Sequence, residues 1–224
     1  HDGIDVGDVD VVAGTPTGRA LITVDDHAEN SIVVVPGANG RRFVPRLPRS
    51  RVVLAQLEVP VDVVTDAFRS ARAAGAVTVL NPAPAQELSA ELLALCDVVV
   101  PNEHEVELIG GIDRLHDAGV DAVVVTLGGR GVQVSVRSAA RRWNQPPFAV
   151  QVADTTAAGD AFCGALAARL ATEDPLETAI EWSAAAGALA TTVAGAVPSL
   201  PRAAEVRALL DQPDGGRHVG RGAG

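Results

Sequence analysis

The sequence has 224 residues, 47% of them hydrophobic, which is enough for one domain with a sizeable core. Its formal charge of −10 argues against nucleic acid or an anionic membrane surface as the main partner. All 18 basic residues are arginines, so neither a P-loop nor a protein-kinase fold fits, since both set a lysine at the phosphates. No apolar run is long enough to span a bilayer and no signal peptide is visible. Cys96 and Cys163 lie in apolar surroundings and read as reduced core thiols, so the expected location is cytoplasmic. There is no methionine, even at position 1, and the expectation is a processed or shortened chain.

Residues 20–24 and 31–35 read as two strands of a hairpin joined by the polar run 25–30. The stretch 41–51 has five arginines, two prolines and no period, and reads as a solvated connector. From residue 52 onward the pattern is regular. Strands are expected over 52–57, 77–80, 97–100 and 122–127, with helices over 61–74, 88–95 and 103–109 between them. Further strands are expected at 132–135 and 141–143, helices at 176–193 and 203–210, and a loose glycine-rich tail at 211–224. Valine-rich strands alternating with helices imply an α/β fold with a mostly parallel sheet covered on both faces. In such sheets ligands sit beyond the carboxyl ends of the strands. Those ends carry Glu58, Asn81-Pro82-Ala83-Pro84-Ala85, Pro101-Asn102-Glu103-His104-Glu105 and Gly128-Gly129-Arg130-Gly131.

The most informative stretch is Asp154-Thr155-Thr156-Ala157-Ala158-Gly159-Asp160-Ala161-Phe162. A strand is expected before it at 148–152 and a helix after it at 163–170. Strand, small-residue turn and helix aim backbone N–H groups at one point, and the helix dipole adds positive potential there. Asp160 falls in the first helical turn, where it is either a capping carboxylate or a group that meets the bound anion.

This stretch resembles the D-T-x-[AG]-[AG]-G-D-x-F motif of the ribokinase-like (PfkB-type) carbohydrate kinases. The runs Gln56-Leu57-Glu58, Asn81-Pro82-Ala83-Pro84, Pro101-Asn102-Glu103-x-Glu105 and Thr126-Leu127-Gly128-x-Arg130-Gly131 are similar to the ribokinase branch, in the same order. The resemblance runs from about Thr17 to the final helix. It implies a three-layer sandwich with a partial β lid over 17–35, and transfer of the ATP γ-phosphate to the 5-hydroxyl of D-ribose. It further implies Asp160 as general base and substrate contact, the amides of Ala157, Ala158 and Gly159 as anion hole, and Glu58 as a sugar ligand. Asn102, Thr126, Leu127, Gly128, Gly129, Arg130, Gly131, Gly159 and Ala184 would border the nucleotide. Mg²⁺ would be handled indirectly by Glu105, and K⁺ held by Asp154, Thr156, Ala190, Val193, Gly195 and Ser199. A homodimer is implied as well.

The sequence departs from the family pattern in three places. Nothing in it matches the family's first strand with its sugar-binding Asp or the glycine loop that follows. The stretches at 41–51 and 111–115 are shorter than the pattern, which has helices there. Related alternatives are a deoxyribokinase, fructokinase or adenosine kinase, or a catalytically silent relative.

Overall fold

The computed structural model describes residues 3–24 and 30–212. Its centre is a six-stranded sheet in the order β3(Val52–Ala55), β4(Val77–Leu80), β5(Val98–Val99), β6(Ala122–Thr126), β7(Val132–Val136), β8(Arg141–Gln145). The first four strands are parallel and the last two antiparallel. Right-handed crossovers that always step the same way put their helices on a single face. These helices are α1(Val61–Ala73), α2(Ala90–Ala94), α3(Glu103–Leu108) and α4(Gly111–Asp117).

Alternation along the strands then divides the core in two. Leu80, Val99, Val123 and Val125 pack with Val64, Phe68, Leu92 and Leu115 on the α1–α4 side. Val79, Val98, Val124 and Val134 pack on the other side with Phe162, Leu166 and Ile180, from α5(Ala158–Ala171) and α6(Leu176–Ala190). The result is the expected three-layer α/β sandwich.

Local chemistry sets the element ends. α1 buries Val63, Val64, Ala67, Phe68 and Ala71, one helical stripe. It stops at Gly75, whose φ of +79° closes the turn while the Ala76 N–H reaches back to the Ala71 carbonyl. α2 is shorter than the expected 88–95 because the Ser89 hydroxyl caps it, accepting from the Leu92 N–H at 3.1 Å. α6 ends at Ala190 rather than residue 193, since the Thr191 and Thr192 hydroxyls turn back onto the Ala188 and Leu189 carbonyls, each at 2.7 Å. A short helix, α4, does fit the stretch after Gly110.

The expected strand at 148–152 does not form. Phe148 makes only an isolated bridge and buries its ring against Ala185, Ala186, Val206 and Leu209 of α6 and the helix Ala203–Leu210. The alternation that suggested a strand there reflects Phe148 and Val150 packing on a helix pair, not a sheet partner.

β1(Arg19–Val24) and β2(Asn30–Val35) form a separate antiparallel ribbon where the hairpin was expected. Its turn, and most of the tail expected at 211–224, lie outside the described residues. The 41–51 connector is irregular and ion-paired at the surface, with Arg42 on Asp62 at 2.9 Å and Arg51 on Glu173 at 3.0 Å.

Candidate active site

Four parallel strands end on one rim, and the chain ties these ends together beyond the regular pairing. The Leu57 N–H donates to the Ala83 carbonyl and the Asn81 N–H to the Ala55 carbonyl, both at 2.9 Å. Asn102 and Thr126 form a further parallel bridge, with the Thr126 N–H on the Pro101 carbonyl at 2.9 Å. The rim is therefore a rigid shelf. Across it lies the N-terminus of α5, which packs tightly on α6 because Gly187 of α6 lacks a side chain. A Cβ at Gly187 would stand 3.2 Å from the Ala158 carbonyl.

Between shelf and helix is a cleft of about 270 Å³. Its lining includes Glu58, Asn102, Glu105, Thr126, Ala157, Gly159 and Asp160, seven of the residues singled out in the sequence. Sequence reasoning assigned no role to the five others that line it, Gln56, Asn81, Ala83, Val100 and Cys163. Their position at strand ends or one helical turn after Asp160 was the available signal.

The turn before α5 leaves backbone donors free. Ala157 adopts φ +60°, a left-handed conformation that costs a residue with a Cβ about 1–2 kcal/mol. Among the described residues, no protein acceptor meets the N–H groups of Ala157, Gly159 or Asp160, while the Ala158 N–H reaches the Thr155 carbonyl at 3.3 Å. These free donors stand at the positive end of a 14-residue helix.

Asn102 and Glu105 form the capping box of α3. The Asn102 Oδ1 accepts from the His104 and Glu105 N–H groups at 2.9 and 2.8 Å, and Glu105 Oε2 accepts from the Asn102 N–H at 2.8 Å. Arg130 sits on a 3₁₀ turn, Gly128–Arg130, between β6 and β7, and its guanidinium pairs with Glu103. Gly131 in that turn has φ +89° and lies where a Cβ would stand 2.2 Å from the Gln145 carbonyl, so only glycine fits. Leu127, Gly128 and Gly129 belong to the same turn. Ala184 is half-buried among the α5 and α6 side chains.

Behind the cleft, Asp154 joins two loops. Its Oδ1 accepts from the Thr156 N–H and hydroxyl at 2.9 and 2.7 Å, and its Oδ2 from the Gly195 N–H at 2.8 Å. The Gly195 N–H, then the Thr156 groups, hold this carboxyl down at about 2. Nearby Ala190 and Ser199 are buried and Val193 is exposed. Cys163 is buried beneath the cleft. Burial, then the charges of Asp160 and Glu105, push its thiol up to about 12.

The pfkB family carbohydrate kinase model matches residues 1–203. The chain belongs to the pfkB family of carbohydrate kinases. It is 38% identical over 230 residues to the ribokinase of Haemophilus influenzae, covering 94% of this chain and 74% of that one. The crystal structure of Thermotoga maritima ribokinase superposes with a TM-score of 0.77 at 32% identity, over 88% of this chain and 70% of that one. Arabidopsis thaliana ribokinase, in a structure complexed with ribose and ATP, gives 0.79 at 28% identity over the same shares.

Proposed function

We propose that the chain transfers the γ-phosphate of ATP to the 5-hydroxyl of D-ribose, giving D-ribose 5-phosphate. The observation that carries this reading is one carboxylate, Asp160, in the same helical turn as the free amides of Ala157 and Gly159, all facing one cleft with Glu58. Phosphoryl transfer needs placement of the attacking hydroxyl and stabilisation of charge on the phosphoryl oxygens. Asp160 takes the hydroxyl proton, the amides receive the phosphoryl group, and Glu58 accepts from sugar hydroxyls. Asn102, Thr126 and the 126–131 turn border the nucleotide, with Ala184 behind, and Arg130 and Glu103 lie at its phosphate edge.

The cleft lining bears the carboxylates Glu58, Glu105 and Asp160 and no basic side chain. A nucleotide entering it needs its own counter-charge. Mg²⁺ entering with the nucleotide would supply that neutralisation, with Glu105 the residue placed to help hold it. Among the described residues no cluster of three His, Cys, Asp or Glu side chains could hold a metal without the nucleotide. Asp154, with the backbone around Thr156, Ala190, Val193, Gly195 and Ser199, suits K⁺. The carboxylate stays ionised, and carbonyls at the α6 C-terminus carry partial negative charge.

The β1–β2 ribbon supports a homodimer. Val33 and Val35 are exposed on one face and Val34 on the other, and an isolated two-stranded ribbon is marginal by itself. Two buried free thiols and ATP as co-substrate support a cytoplasmic location. No helix among the described residues is long and apolar enough to cross a membrane.

The decisive experiment is Asp160→Asn assayed for ATP-dependent ribose phosphorylation. Removal of a general base costs about 10²–10⁴ in kcat. Turnover near the unsubstituted rate would overturn the assignment.

A further inference from the structure

Among the described residues, Gln56, just past the end of β3, is the one polar side chain hydrogen-bonded to Asp160. Its Nε2 donates to Asp160 Oδ1 at 3.0 Å and to Asn81 Oδ1 at 3.0 Å. Asn81, at the end of β4, donates its Nδ2 to the Val100 carbonyl at 2.8 Å. The direction of every bond in this chain is forced. A main-chain carbonyl only accepts, so Asn81 must present its NH₂ to Val100 and its oxygen to Gln56. Gln56 must then present its NH₂, and both hydrogens are used, one on Asn81 and one on Asp160.

We infer that Gln56 is a positioning residue for Asp160, anchored through Asn81 to the main chain at the end of β5. It links the shelf to α5, two elements 104 residues apart in sequence. Because it can only donate, it selects the unprotonated Oδ1 of Asp160 and fixes the carboxylate plane. Oδ2 is left as the oxygen that takes the substrate proton. The backbone on either side of both amides is pinned by the Leu57–Ala83 and Asn81–Ala55 bonds, so the anchor does not shift with a surface loop.

This inference rests on Asp160 acting as the base, and its test separates the two. Gln56→Met keeps length and bulk while removing the donor. In the full-length protein, kcat should fall about tenfold, as expected for one lost hydrogen bond to a charged group. KM for ribose and for ATP should stay within about twofold, and the melting temperature should be nearly unchanged. Gln56→Glu should be worse than Gln56→Met, since it sets a like charge against Asp160. Asn81→Ala should lower kcat in the same way, and the Gln56→Met/Asn81→Ala double variant should be no slower than Gln56→Met.

A crystal structure of Gln56→Met gives a readout that needs no turnover, and the Asp160 carboxylate is expected to rotate. An unmoved Asp160 there, or unchanged kcat in Gln56→Met while Asp160→Asn is dead, overturns the positioning role and leaves the kinase reading standing. A fully active Asp160→Asn overturns both.

Discussion

Ala157 carries the most strain of any residue in the site. Its left-handed backbone is what turns the chain so that successive N–H groups face the cleft. Replacing it with glycine removes the Cβ penalty but enlarges the unfolded ensemble. A net gain of about 0.5 kcal/mol is expected, or roughly 1–2 °C in melting temperature. At the same time kcat should fall several-fold, because the turn is then free to leave its bound conformation. Differential scanning calorimetry and a kinase assay on Ala157→Gly check both signs.

The buried thiols give a pH signature at the same scale. Cys96 and Cys163 are both pushed up to about 12, chiefly by burial, from a thiol's ordinary 9.0. The folded chain holds two protons that the unfolded chain releases near pH 9, so their contribution is intact below pH 9 and is lost between about 9 and 12. Urea melts across that range should show stability falling with pH, and neither thiol should react with a disulfide reagent at pH 8 until the chain unfolds.

At the scale of elements, the site depends on caps and helix contacts. Asn102 both caps α3 and lines the cleft, so Asn102→Ala should cost about 1 kcal/mol in urea unfolding as well as raise KM for ATP. Asp154 ties the turn before α5 to the loop after α6. Its carboxyl is held low by donors, so the tie is complete above the ordinary 3.8 and is released only as pH falls toward about 2. Asp154→Asn offers an NH₂ where the Gly195 N–H needs an acceptor. That variant should lose thermal stability and require more K⁺ for half-maximal rate, measured by titrating KCl at constant ionic strength.

The elements were largely legible in sequence because their signals are local. Periodicity marks α1, valine runs mark β4 and β6, and Gly75 and Ser89 set boundaries through their own backbone chemistry. Residues 148–152 misled because a half-buried alternating run looks the same whether the buried side chain meets a sheet or a helix pair. In the site, Asp160 and Glu58 were found through motifs. Gln56 was visible in the same motif as Glu58, but its contact with Asp160 bridges 104 residues and exists only after the fold forms. The pairing of Arg130 with Glu103 escaped for the same reason.

For the whole molecule, the sheet separates duties. Side chains of the strand ends sit on the shelf, while α5 and α6 approach from the opposite layer. The ribbon stands apart from both and exposes Leu21, Val33, Val34 and Val35. If two ribbons cover one another, Val33→Asp with Val34→Arg should convert a dimer to a monomer in sedimentation equilibrium. The central sheet should keep its melting transition, because the ribbon pairs with none of its strands.

The proposed anion site is made of main chain, which changes how mutation can reach it. Substituting a side chain at 157, 158 or 159 leaves the peptide N–H in place. Only proline deletes the donor itself. In a saturation library of this turn, loss of activity should therefore follow size where the phosphoryl group must approach, proline at every position, and glycine at 157, where it loosens the turn. Asp160 should stand apart, intolerant of every replacement. Such a pattern would make the phosphate end of the site the part most resistant to drift, and Asp160 the point at which one nucleotide change silences the enzyme.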